Sequence, residues 1–194
     1  YSMYGTEKDI AKGIQELIRR HQNDNILFNL VVFWGERQIL FDDTYIGNVT
    51  MPEINLGGST NLNGSLYYTM KNKCRDGLNL LVTISDGGDN VFEVSSNKVK
   101  ALMQELNNSH NNFYFLGEPT LEDTPEDVYK AASELGFREE NISVFTRKGN
   151  GNKLNFEVIS EMLDELLKYG KISKDWSFPI KEHYLALTDK KALK

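Results

Sequence analysis

The sequence predicts an α/β domain with helices on both faces of a mostly parallel sheet and one antiparallel edge strand. Short β-branched and aromatic runs alternate with amphipathic stretches of about 10–15 residues, the pattern of βαβ units. That alternation is most regular after residue 78. Before it, two strand-like runs are parted only by Gly35-Glu36, too short a link for anything but an antiparallel pair.

Ile10, Ile14, Leu17 and Ile18 recur at helical spacing, so residues 6–21 read as an amphipathic helix. Phe28–Trp34 and Arg37–Phe41 are the paired strands, and residues 43–60 read as loop. Leu62, Leu66, Tyr67 and Met70 share one face of a helix over 62–73. The apolar run Leu78–Ser85 is a strand that stops at Asp86-Gly87-Gly88. Val99, Leu102, Met103 and Leu106 set a helix over 95–107, and Phe113–Leu116 is a strand ending at Gly117. Pro125–Leu135 is a helix closed by Gly136, and Ile142–Phe145 is a short strand. Val158, Ile159, Met162, Leu163, Leu166 and Leu167 mark the amphipathic helix Leu154–Tyr169, closed by Gly170. Residues 1–170 form the domain; residues 171–194, with Trp176, Pro179 and the apolar stretch Tyr184–Leu187, are an extension that packs on the sheet or completes it.

Composition narrows the function. With 22 Lys and Arg against 28 Asp and Glu, the net charge of −6 and the lack of a basic block argue against nucleic acid as a partner. At 40% hydrophobic and 11% aromatic residues, the 194-residue chain can bury a core. Cys74 is the single cysteine, which excludes an intramolecular disulfide and a cysteine-based zinc site and points to a cytoplasmic setting. No apolar run approaches the roughly 20 residues that span a bilayer.

Three polar segments precede helices or end a strand: Ser2-Met3-Tyr4-Gly5, Gly57-Gly58-Ser59-Thr60-Asn61-Leu62, and Thr83-Ile84-Ser85-Asp86-Gly87-Gly88. In open α/β sheets such loops gather at the carboxyl ends of the strands. Hydroxyl and carboxylate oxygens suit a hard divalent cation, Mg²⁺ above all.

In this order the three segments resemble the von Willebrand factor A domain, microbial type, and its metal-ion-dependent adhesion site. The resemblance runs from residue 1 to about 169 and implies a three-layer, Rossmann-like fold. It places Ser2, Thr60 and Asp86 as metal ligands, with Ser85 where the family has threonine. Tyr4, Ser59, Asn61 and Asn90 then stand at the binding rim. The implied cofactor is Mg²⁺, or Mn²⁺ or Ca²⁺, and the implied partner is another protein offering an acidic side chain.

The sequence also departs from the family. The leading Asp-x-Ser and the central strand before it have no counterpart ahead of Ser2. The strands at 28–34 and 78–85 would flank that strand, and without it both present open apolar edges. The resemblance therefore implies a strand ahead of Tyr1, or a substitute such as Tyr184–Asp189, which reads as an apolar strand ending in an acid.

Other features have plainer readings. His21, His110 and His183 lack metal-ligand spacing and read as solvated surface residues. Cys74 reads as a helix-end thiol, Trp34 and Trp176 as packing anchors, and the acids around Pro125 as helix N-terminal charge. The leading function is thus a non-enzymatic protein-binding module. The alternatives are a Mg²⁺-dependent enzyme of phosphate chemistry and an interaction domain that works without metal. Against the enzyme stand the lack of a Walker-type loop, of Gly-x-Gly-x-x-Gly before the right helix, of paired carboxylates and of a Ser-His arrangement.

Overall fold

The structure, a computed structural model, describes residues 6–54, 59–85, 88–108, 110–120 and 123–188. The first amphipathic stretch forms helix α1 (Glu7–His21), with Glu7 and Asp9 in its first turn and Arg19, Arg20 and His21 in its last. That charge order complements the helix dipole. Strands β1 (Leu27–Phe33) and β2 (Arg37–Tyr45) follow as an antiparallel pair.

Strand β2 runs four residues past the expected Phe41. Asp42-Asp43 reads as loop because acids are poor strand formers, yet Asp43 is held there by its partners. Asn29 Nδ2 donates to Asp43 Oδ1 at 3.0 Å, and the Asp43 N–H donates to Asn29 Oδ1 at 2.8 Å. Lys73 and Arg75 pair with the same carboxylate, and Asp43 takes a left-handed φ of 45° where the register shifts.

Helix α2 (Leu62–Lys73) and strand β3 (Asn79–Ser85) match their sequence patterns. Helix α3 (Ser96–Glu105), strand β4 (Asn111–Gly117), helix α4 (Pro125–Glu134) and strand β5 (Ile142–Val144) continue the alternation. Thr124 and Asp127 form a capping box at α4, and Gly136 beyond its end adopts φ 103°, a conformation glycine reaches without a Cβ penalty. Helix α5 (Gly151–Tyr169) ends at Gly170 with φ 67°.

Strands β3, β4 and β5 form a parallel sheet in that order, in register from Asn79 opposite Asn111 to Ser85 opposite Gly117. Successive β4 side chains enter different cores. Tyr114 and Leu116 join Ile14, Leu17, Val158 and Met162 from α1 and α5, whereas Phe113 and Phe115 join Leu62, Leu66, Met70 and Val99 from α2 and α3. Helices therefore cover both faces, and each fully buried Leu or Ile contributes about 1.5–3 kcal/mol.

Strands β1–β2 and β3–β4–β5 form separate sheets, with no backbone hydrogen bond between β1 and β3 among the described residues, in keeping with the two open edges expected at 28–34 and 78–85. One expectation changes. The stretch Tyr184–Leu187 is not a strand and fills no gap, because it lies in helix α6 (Phe178–Thr188) against α5 and β5. Pro179 suits a first helical turn, and Ile180, Tyr184 and Leu187 recur at helical spacing. The extension is anchored by Ile180 and by Trp176, whose ring stands edge-on to Tyr114 at 4.9 Å and whose Nε1 donates to Glu140 O at 2.9 Å.

Candidate functional site

The direction of each element follows from its contacts. Gly13 of α1 meets the Phe156 ring of α5, while further along Arg20 pairs with Asp164 and His21 Nε2 lies 2.8 Å from Ser160 Oγ. Helices α1 and α5 thus run the same way. Since α5 starts just beyond β5, both helices begin at the carboxyl edge of the parallel strands.

Three loops are bonded together at that edge. The Asn61 N–H donates to Trp34 O, just past β1, at 2.7 Å. The Thr60 N–H donates to Asn90 Oδ1 at 2.7 Å, and the Asn90 N–H returns to Thr60 O at 2.9 Å. The Glu118 N–H donates to Ser85 O at 3.0 Å, tying the end of β4 to the end of β3. The carboxyl ends of β1, β3 and β4 are therefore brought to one place, and β1 runs parallel to β3.

Of the expected ligands, Thr60 lies at this edge, and its hydroxyl has no hydrogen-bond partner among the described residues. Ser2 and Asp86 lie outside the described residues, as do Tyr4, Gly57, Gly58 and Asp189.

The rim residues separate. Ser59 is exposed, and its Oγ sits where a Cβ on Gly35 would overlap it. Asn90 is exposed, but its carbonyl oxygen is taken by the Thr60 peptide. Asn61 does not stand at the rim: it is buried, and its Nδ2 donates to Glu93 Oε2 at 2.6 Å. Its polar side chain read as surface, whereas it buttresses the loop from beneath.

Three acids near the edge are already engaged. Asp89 Oδ1 accepts from the Asn63 N–H at 3.2 Å, and its Oδ2 from the Phe92 N–H at 2.8 Å. Glu93 binds Asn61 and stands 3.6 Å from Arg37. Buried Glu118 accepts from the Arg147 N–H at 2.8 Å and faces Arg147 Nε at the same distance. Sequence reasoning missed Glu93, Glu118 and Arg147; the available signal was Gly117-Glu118 directly after a strand.

At this edge Thr60 offers a hydroxyl oxygen, unpaired among the described residues, of the kind a hard cation takes. Among the described residues no three His, Cys, Asp or Glu side chains form a ligand cluster.

Elsewhere, His21 corrects an expectation. It is fully buried, with Nδ1 2.8 Å from Asp24 Oδ2 and Nε2 2.8 Å from Ser160 Oγ. The sequence separation of 139 residues between His21 and Ser160 hid this arrangement. It resembles a nucleophile–base–acid relay, but Ser160 is itself buried between α1 and α5, where no substrate reaches it. It is a clasp between helices. Burial pushes the Cys74 thiol up to about 11, which disfavours its thiolate. No helix among the described residues is long and apolar enough to cross a membrane. No family model matches this sequence, and comparison with curated proteins yields no match.

Proposed function

We propose that this chain is a protein-binding module of von Willebrand factor A type, with the three-layer arrangement of that family, acting in the cytoplasm. It captures an acidic side chain of its partner through a divalent cation held by Ser2, Thr60 and Asp86. The observation that carries this reading is the Thr60–Asn90 pair. It fixes the Thr60 peptide against the loop that follows Asp86 and leaves the hydroxyl unpaired.

The chain's own residues divide the work. Asn90 and Asn61 hold the Thr60 loop against the ends of β3 and β1, so the donor needs little ordering when a ligand arrives. Asp89, Glu93 and Glu118 each accept from an N–H group, and the reading assigns the acidic ligand to Asp86. A Mg²⁺ or Mn²⁺ ion bound there would keep positive charge and an exchangeable water that a partner carboxylate can replace.

The test is binding to immobilised peptides that differ only in Asp or Glu against Asn or Gln, with Mg²⁺ and with EDTA. The reading expects retention of acidic peptides in Mg²⁺ alone. Equal retention with chelator overturns the metal bridge.

A further inference from the structure

We propose that the surface groove between α2 and α3 docks a short acidic peptide segment of a partner protein, one in which large apolar side chains are bracketed by carboxylates. The groove uses none of the residues assigned to the cation and stands or falls without it.

The groove follows from how the two helices bury. Leu62, Leu66 and Met70 of α2 and Val99 and Met103 of α3 face one core. Tyr67 and Lys71 on α2, with Lys98, Ala101 and Leu102 on α3, line the surface left between the helices. Both helices begin at the carboxyl edge, where the Thr60 and Asn90 loops are bonded together, and they run side by side. Asn63 clamps their starts, its Nδ2 donating to Val94 O at 3.1 Å and to Ser96 Oγ at 3.3 Å. A groove built in this way needs little ordering when a ligand arrives.

Two hollows meet at Tyr67 and Val94, which line both. The first, of about 330 Å³, has Tyr67, Val94, Ala101 and Leu102 as an apolar wall and adds Lys98 and Glu105. The second, of about 240 Å³, is polar, with Arg37, Tyr68, Lys71, Asn72 and Glu93 around it. Both are open to solvent, which suits a peptide lying across the surface better than an engulfed metabolite.

Charge selects the occupant. Arg37 and Glu93 offset each other at 3.6 Å. Glu93 also accepts from Asn61, and Arg37 donates to Gly64 O at 3.0 Å and lies over the Tyr68 ring at 4.5 Å. Lys71 and Lys98 are exposed and have no acidic partner among the described residues; Lys71 Nζ lies 5.8 Å from the Tyr67 ring centre. One of these ammonium groups belongs to each hollow, with the Tyr67–Val94 wall shared between them. In a chain of net charge −6 this is a local positive surface beside an apolar one. A carboxylate at each ammonium and an apolar side chain on Tyr67, Val94 and Leu102 complement it, and the lysine stems extend the apolar contact. Glu105, two turns further along α3 than Lys98, disfavours a third carboxylate at that end. Two lysines are too few for a phosphate backbone, whose binding relies on many such contacts.

The experiment measures retention of the 194-residue chain, in EDTA, on immobilised heptapeptides Glu-Glu-X-X-X-Glu-Glu with X drawn from Leu, Ile, Phe, Tyr and Trp. Two control sets carry Gln for Glu or Ala for X. Retention on the acidic apolar set should exceed both controls by at least about tenfold. The best-retained heptapeptide should shift the amide resonances of Lys71, Lys98, Ala101 and Leu102 in the unaltered chain, a readout that needs no variant. Lys71→Glu and Lys98→Glu should each cut retention about tenfold, and Lys174→Glu, at an exposed lysine beyond α5, should leave it unchanged. No retention in EDTA, equal retention on either control set, or amide shifts confined to residues outside the groove overturns the proposal. An equal loss in Lys174→Glu marks unspecific charge attraction and overturns it too. Retention that requires added Mg²⁺ assigns the peptide to the cation site and removes the groove from the account.

Discussion

Thr60 and Asn90 grip each other by two hydrogen bonds, one through the Asn90 side chain at 2.7 Å and one between their main chains at 2.9 Å. The pair links the loop before α2 to the loop after β3, and it needs no cation. Asn90 is exposed, so its side chain acts on the position of Thr60 more than on the core.

Asn90→Ala removes the side-chain bond, worth about 0.5–1.5 kcal/mol. The expected result is about a threefold to tenfold loss of Mn²⁺ affinity by calorimetry with little change in the urea midpoint. Unchanged affinity would separate Asn90 from the cation site.

His21 and Ser160 provide a second test, of the clasp between α1 and α5. Each single substitution to alanine strands a buried polar group and should cost about 1–3 kcal/mol. The double variant should cost less than the sum, with a coupling of about 0.5–1.5 kcal/mol in a urea-denaturation cycle. Strict additivity would mean the 2.8 Å contact carries no energy.

Asp43 gives a pH dependence. Its carboxyl is held below the ordinary 3.8, first by the hydrogen bond from Asn29 and then by Lys73 and Arg75. A depressed folded-state pKa adds stability that is present above the unfolded value and lost as the pH falls through the folded one. The urea midpoint should therefore fall as the pH is lowered below about 4. Asp43→Asn should lower the midpoint at pH 7 and flatten that drop; an equal slope in both proteins would contradict the assignment.

Cys74 should be slow to alkylate. A thiol moved from 9.0 to about 11 holds roughly one hundredth of the thiolate at pH 8. Reaction with iodoacetamide should be about 100-fold slower than for glutathione in native buffer and recover in urea.

How much the sequence showed depended on the range of the interactions. Helices α1, α2 and α5 were legible because their apolar spacing is local, and Thr124-Pro125 announced α4. Strand β2 was read too short because Asp43 is tolerated only through Asn29, Lys73 and Arg75, from other elements. Helix α6 was misread because a short apolar run such as Tyr184–Leu187 carries no period of its own. The glycine-flanked Ser59-Thr60 and the break after Ser85 marked two loops that the fold ties together through Thr60 and Asn90. Asn61 was misplaced because its partner Glu93 lies 32 residues away.

The central claim, a divalent cation at the Thr60–Asp86 edge, is tested most directly by Mn²⁺ titration calorimetry of the chain, Thr60→Ala and Asp86→Ala. The account predicts one site in the unaltered chain, weakened about tenfold or more in Thr60→Ala and lost in Asp86→Ala. No heat of binding in the unaltered chain, or equal binding by all three, would contradict it.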